Sequence, residues 1–293
     1  MTLFDLDFEA ATEIYRRMQA EGREEDRARF DALFERAKPY LDSNFKDQFA
    51  RSTNERFFEL RLTITLLDHG FELDAAQEGR PDIGTRLPDG RKLWIEAITL
   101  SWGRADNPDR PPALGERFQP APIREALLRH TAALKEKRDK FRTYLEKGVV
   151  AAEDCCVVAM SSGGLHPHVE GVGVPRVVSA VLPFGDEVVT IDRASGEVLE
   201  VSHERRPEIR NARDAPVATT AFEDPEAYGQ ISAVLHDSTF ISTWPGDLQP
   251  GRWVTVHNPT AQAPLPEDQF PWGRRYRAIQ AEGETRLLVE PAA

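Results

Sequence analysis

Apolar residues recur at helical intervals through the first 38 positions, at Phe8, Ile14, Tyr15, Met18, Phe30, Leu33 and Phe34, among charges of alternating sign. That spacing predicts two N-terminal helices. Ser52-Thr53-Asn54-Glu55 has the spacing of a capping box, and the apolar run through Phe57, Phe58, Leu60, Ile64 and Leu67 leads to a stop at Gly70. A helix of about five turns is expected there. The pattern then changes period. Residues 71–76 and 82–87 read as extended, Pro88-Asp89-Gly90 as a turn, and Lys92 to Thr99 as a strand of bulky and branched residues, which together predict a β-hairpin. The stretch 101–122, with Pro108, Pro111, Pro112, Pro120 and Pro122, is expected as a long irregular loop before a helix that ends at Gly148. Cys155 to Met160 predicts a buried strand, and from Val177 onward short β-like runs alternate with turn residues.

A chain of 293 residues, 40% of them hydrophobic, suffices for one large domain or two modest ones. The division expected is N-terminal helices over 1–45, a core over 46–183 and a β-rich C-terminal extension over 184–293. The apolar runs fall short of the ~18 residues that a membrane span needs, and the first twenty residues lack a secretory pattern. A cytoplasmic address with no membrane partner is the expectation. Cys155 and Cys156 are adjacent, and neighbours do not ordinarily form an unstrained disulfide, so both are expected as reduced, buried thiols. The net charge of −12 argues against a nucleic-acid partner. Locally, however, Arg124 to Lys147 holds Arg124, Arg129, Lys135, Lys137, Arg138, Lys140, Arg142 and Lys147 against only four acids, so one surface is basic. Phosphate-loop and dinucleotide fingerprints are missing.

The hairpin carries the candidate chemistry. If Pro88, Asp89 and Gly90 form a three-residue loop, Leu87 faces Arg91, opposed residue numbers sum to 178, and Asp82 faces Glu96. Opposed residues of an antiparallel pair share a face, with Cβ atoms about 4.5–5.5 Å apart. Two acids so placed repel and raise one another's pKa unless a cation intervenes, and magnesium accepts such an arrangement. The alternative is a register slipped by one residue, with one acid at a solvated edge. Glu96 also interrupts a run suited to a strand buried on both faces, and a buried acid needs a partner or a metal. Glu59 is similarly out of place among Phe58, Leu62 and Leu66. Its bland reading is a half-exposed acid paired with Arg56 or Thr63.

Phe58-Glu59-Leu60, Arg80-Pro81-Asp82-Ile83 and Trp94-Ile95-Glu96-Ala97 together resemble the PD-(D/E)XK, or restriction endonuclease-like, nuclease superfamily over about residues 52–160. More narrowly, the chain is similar to uncharacterised bacterial proteins of that fold with a PD…iEA hairpin, a basic helix and a later segment matching Val256 to Pro266. The resemblance implies an α/β fold with a mixed sheet of four or five strands between the Glu59 helix and the basic helix. It implies a magnesium- or manganese-dependent nuclease hydrolysing DNA or RNA, in restriction, repair or defence. Asp82 and Glu96 would hold the metal, the Ala97 carbonyl would complete its shell and Glu59 would help position water. It also leaves a homodimer open, because such nucleases pair up to cut two strands. One departure is that Ile98 stands where the superfamily has its lysine. Lys137, at the margin of the basic helix's buried face, is the preferred replacement among the catalytic candidates Glu59, Asp82, Glu96 and Lys137, and Arg80, which the hairpin register sets opposite Ile98, is a second candidate. Lys135, Arg138 and Arg142 are expected to bind nucleic acid. The rival reading is a catalytically inactive nuclease scaffold that binds nucleic acid or a protein.

Other signals carry less. His166 and His168, with His203 or a cysteine, lack the second ligand pair of a zinc site. Cys155 and Cys156 lie in an apolar strand pattern where thiols are inert, and Ser161 and Ser162 lack a nucleophile elbow. Trp102, Trp244, Trp253, Trp272 and Tyr276 read as core or rim residues, and His257 and Asn258 as turn residues.

Overall fold

The computed structural model describes residues 2–6, 11–111, 121–165, 173–241, 253–281 and 283–291. The two expected N-terminal helices are α1 (Glu13–Gln19) and α2 (Glu24–Ala37), and a third, α3 (Phe45–Arg51), runs almost directly into α4 (Thr53–Asp68). The capping box does not form. The Ser52 N–H donates to the Gln48 carbonyl at the end of α3, and its side chain makes no cap hydrogen bond. Ser52 therefore joins two helices rather than starting one.

α4 is buried on nearly every side. Phe57, Leu60 and Ile64 pack with Phe30, Phe34 and Phe49 of the N-terminal helices, while Phe58, Leu62 and Leu66 pack against Ile83, Leu93, Ile95 and Val157 of the sheet. A helix with apolar residues on two opposite flanks belongs in the middle of a stack. The N-terminal helices are thus an outer layer resting on α4.

The strands are β1 (Ile83–Arg86), β2 (Lys92–Thr99), β3 (Cys155–Ser161), β4 (Phe184–Ile191), β5 (Val198–Arg205), β6 (Glu208–Arg210), β7 (Pro216–Ala218), β8 (Ala233–Asp237), β9 (Trp253–His257), β10 (Arg274–Ala281) and β11 (Glu284–Glu290). Seven of them form one mixed sheet in the order β1-β2-β3-β8-β9-β10-β11, while β4-β5 and β6-β7 are separate two-stranded sheets. The main sheet has seven strands rather than four or five because β8 pairs parallel with β3 and carries β9–β11 with it. It therefore runs across the boundary expected at 183/184. β3, flanked by parallel neighbours on both sides, is buried at every residue, as a central parallel strand should be. Both cysteines lie on it as free, buried thiols.

The opposite face of the sheet is covered by α5 (Ile123–Glu146), whose Leu127, Leu134 and Phe141 pack with Trp94, Val158, Met160 and Val234. It ends where expected, with Gly148 at a φ of +67° and its N–H on the Leu145 carbonyl. Two short helices, α6 (Arg176–Val181) and α7 (Pro225–Tyr228), complete the set. In the proline-bearing stretch, residues 101–111 form neither helix nor strand, and residues 112–120 lie outside the described residues. Trp253, Trp272 and Tyr276 are buried core and Trp102 packs against it, whereas Trp244, His166 and His168 lie outside the described residues. Buried Asn258 ties the turn after β9, donating to the carbonyls of Tyr228 and Ile231 at 3.1 and 2.7 Å. Among the described residues no helix is long and apolar enough to cross a membrane.

A buried ion pair fastens α4 to β8. The Arg61 Nε lies 2.7 Å from Asp237 Oδ2, both side chains are at most 1% exposed, the guanidinium stacks 5.4 Å from the Trp253 ring, and Thr239 donates to Asp237 Oδ1 at 2.8 Å. Removing Asp237 takes from the buried Arg61 its carboxylate partner, and breaking a buried pair is strongly destabilising. Asp237→Ala is therefore expected to destabilise the chain by about 3–5 kcal/mol, and the paired change Arg61→Leu/Asp237→Leu by less than that, as read by denaturant unfolding.

Candidate functional site

The site is assembled by the hairpin, α4 and α5. Between β1 and β2 the pairs are Ile83 with Ile95, Gly84 with Trp94, Thr85 with Leu93 and Arg86 with Lys92, so opposed numbers sum to 178 as expected from the loop. Gly90 makes that loop at a φ of +89°, its N–H donating to the Leu87 carbonyl while the Leu87 N–H donates to the Arg91 carbonyl. Only a glycine holds such a left-handed position without strain. Counting from that bonded pair, residues 85/93 and 83/95 are hydrogen-bonding sites, and the paired residues end at Ile83 and Ile95, so Asp82 lies just outside β1 and forms no strand pair with Glu96. Pro81 has no N–H to return to the Ala97 carbonyl. The Ala97 N–H is taken instead by the Asp82 side chain, at 2.8 Å from Oδ2.

Arg80 lies beyond the first residue of β1, so it does not form the cross-strand pair with Ile98 expected of it. It contributes its carbonyl, which accepts from the Tyr144 hydroxyl at 3.1 Å. Beside Asp82 a small cleft of about 10 Å³, lined by Asp74, Gln77, Arg80, Pro81 and Trp94, has room for one water-sized group.

Glu96 sits mid-strand with no exposure and points to the α5 side of the sheet. Its Oε2 accepts from Lys137 Nζ at 2.9 Å and Lys140 Nζ at 2.7 Å, and its Oε1 from the Tyr144 hydroxyl at 2.9 Å. Lys137, Lys140 and Tyr144 stand at i, i+3 and i+7, one stripe of the helix. Lys137 was legible as a residue at the margin of the buried face. Lys140 and Tyr144 join it on the same stripe by the same periodicity, a relation the sequence carries only once Glu96 is known to face it. Burial, and then the nearby Asp82, hold the Glu96 carboxyl above its ordinary range despite the two lysines. Burial opposes the charged form of Lys140, but Glu96 and Asp82 outweigh it and hold the ammonium above the usual lysine value. Burial and Glu96 push the Tyr144 phenol up to about 12, so it remains a donor.

Glu59 approaches from the other face. Its Oε2 lies 2.5 Å from Arg56 Nη1, the Thr63 hydroxyl donates to its backbone carbonyl, and burial, with the Asp82 charge adding to it against Arg56, raises its carboxyl to about 7. Asp82 thus acts electrostatically on both Glu59 and Glu96. Among the described residues no group of three or more His, Cys, Asp or Glu side chains is placed to hold a metal ion.

The basic stripe does not join this site. At about 100° per residue, Lys135, Arg138 and Arg142 lie on the side of α5 turned roughly 160° from Lys137, Lys140 and Tyr144. Lys135 and Arg142 are exposed. Arg138 folds onto Asp139 at 2.6 Å and over the Tyr228 ring at 4.9 Å. Of the basic residues of α5, Lys137 and Lys140 are the ones that reach Glu96.

Two measurements follow from this geometry. Lys137 is 9% exposed and Lys140 42%, so Lys137→Met, which strips Glu96 of its enclosed ammonium but leaves it Lys140 and Tyr144, is expected to cost about 1–3 kcal/mol in denaturant unfolding, and Lys140→Ala less than about 1 kcal/mol. Glu59 and Glu96 keep their protons to higher pH in the folded chain than in the unfolded one. The stability this contributes is full below about pH 4.5 and is lost as pH rises through the folded value, about 7 for Glu59. Glu59→Gln should flatten that decline in unfolding titrations across this window and leave the chain more stable than wild type above pH 7, by roughly 1–3 kcal/mol. Compared with known proteins, the chain matches no family model, no curated protein and no solved structure.

Proposed function

We propose that the protein is a magnesium-dependent nuclease of the PD-(D/E)XK type. The observation that carries this reading is the Lys137 ammonium 2.9 Å from Glu96 Oε2, which returns to the acid pair the cation that Ile98 fails to supply. The order of elements supports it too, with a Glu59 helix, an Asp82–Glu96 hairpin, and α5 leading to a strand parallel to β2.

The donor set fits a small divalent cation at the Asp82 end. The Ala97 bond uses one of Asp82's two carboxylate oxygens, and the Ala97 carbonyl faces the same edge because N–H and C=O of a strand residue point the same way. Asp82 and Glu96 would hold the ion, with Glu96 opened by displacement of the half-exposed Lys140. The ion would supply charge stabilisation at the scissile phosphate and a more acidic water. In this reading Lys137 keeps Glu96 charged and adds positive potential beside the phosphate. Tyr144 orients Glu96 through Oε1. Glu59, with a carboxyl that titrates near neutrality, exchanges a proton with water.

A second reading rests on a specific observation. Glu96 is already neutralised by two lysines and a phenol, as a structural acid would be, and the exposed basic residues lie on another side of α5. A catalytically inactive scaffold that binds nucleic acid or protein fits this.

The experiment is titration of magnesium or manganese by calorimetry together with cleavage of mixed DNA and RNA substrates. Wild type is expected to bind metal with proton release and to cut, with Asp82→Ala lowering the rate at least roughly 10²–10³-fold. Absence of both metal binding and cleavage in wild type would sink the nuclease and leave the scaffold reading.

A further inference from the structure

Six of the seven large hydrophobic residues that are exposed among the described residues lie on one element: Val188, Val189, Ile191, Val198, Leu199 and Val201 of the β4–β5 hairpin, between 44% and 64% exposed. The hairpin stands apart from the seven-stranded sheet as a two-stranded unit. Two strands alone are marginal in water, and a third strand or a covering element is needed for independent stability. An exposed apolar strand edge of this length is a template for pairing.

The charges argue about what completes it. Residues 184–205 carry six acids against two arginines, a net charge of −4, which disfavours nucleic acid and acidic membranes. A second copy must avoid setting like charges opposite each other, and this selects a register. Two-fold antiparallel pairing of β5 with its own copy can centre on Glu200, Val201 or Ser202. Centring on Glu200 opposes that acid to itself, and centring on Ser202 opposes Glu200 to Glu204. Centring on Val201 leaves no like-charged pair, sets Glu200 against Ser202, and places Glu197 opposite Arg205. Arg205 already bridges Glu223 at 2.9 Å, and a guanidinium has donors for both carboxylates. Because Val189 pairs with Val201 inside the hairpin, this register also aligns four valines in a row across one face of a β4-β5-β5-β4 sheet.

We infer that the β4–β5 hairpin is a self-association arm, joining two copies of the chain through β5 in the register centred on Val201. The inference does not depend on the nuclease reading. The interface is held by backbone pairing and apolar contact between two acidic arms, so it tightens as salt screens their repulsion.

Sedimentation equilibrium of the full chain tests it. Wild type should reach twice the 33.0 kDa chain mass in a concentration-dependent manner, more tightly at higher salt. Val201→Lys, at an exposed position whose folding is checked by circular dichroism, should weaken the dimer at least tenfold. Glu197→Arg alone should weaken it, and Glu197→Arg/Arg205→Glu should restore it. A wild type that stays monomeric at every concentration overturns the inference, as does a dimer indifferent to Val201→Lys. A monomer that instead binds an alternating valine–lysine peptide, less tightly as salt rises, overturns it in favour of a basic partner protein.

Discussion

A carboxylate without exposure to water sits in the middle of β2, and the arrangement around it answers the cost of putting it there. Burying an unpaired charge is expensive enough that the group would neutralise instead. Glu96 is matched by three donors from one stripe of α5, so the helix is held to the sheet by electrostatics as well as by Leu127, Leu134 and Phe141. Tyr144 extends the same contact to the Arg80 carbonyl, which fixes the chain just before Asp82. One buried acid thereby sets the rotation of a 24-residue helix and the entry of the hairpin.

The opposite face is organised by a second buried charge. Arg61 reaches across to Asp237 at the end of β8, so α4 is tied to a strand supplied by the C-terminal part of the chain. This explains how α4 carries apolar residues on almost every side yet keeps a defined orientation: the N-terminal helices cover one flank, the sheet takes the other, and the ion pair fixes its position along the sheet. Glu59 then falls where Asp82 can act on it. Glu59 and Glu96 are both held above the ordinary carboxylate range first by desolvation, from opposite faces of the sheet.

These constraints weigh on function in two ways. Lys137 restores a cation to the acid pair from a different element, which is the structural content of the nuclease reading. The same contacts satisfy Glu96 so completely that catalysis in this reading requires Lys140 to move. The split of α5 into a lysine stripe that meets Glu96 and a separate exposed stripe with Lys135 and Arg142 is invisible to a count of charges.

What the sequence determined by itself is mostly local. Hydrophobic period, turn chemistry at Pro88-Asp89-Gly90 and the alternation of the hairpin specified α4 and the β1–β2 register, because side-chain direction in a hairpin follows from its loop. The margin of the buried face of α5 likewise pointed to Lys137. Tertiary structure decided the rest. Ser52 reads as a cap but joins two helices, because the pattern does not show that α3 precedes it. β8–β11 enter the main sheet rather than a separate extension, since strand pairing between distant segments leaves no periodic trace in either one. Lys140 and Tyr144 become partners of Glu96, and Arg61 of Asp237, only when elements far apart in the chain pack together. Such contacts are chosen by the cost of leaving a buried charge alone, and that cost does not exist until the chain has folded around it.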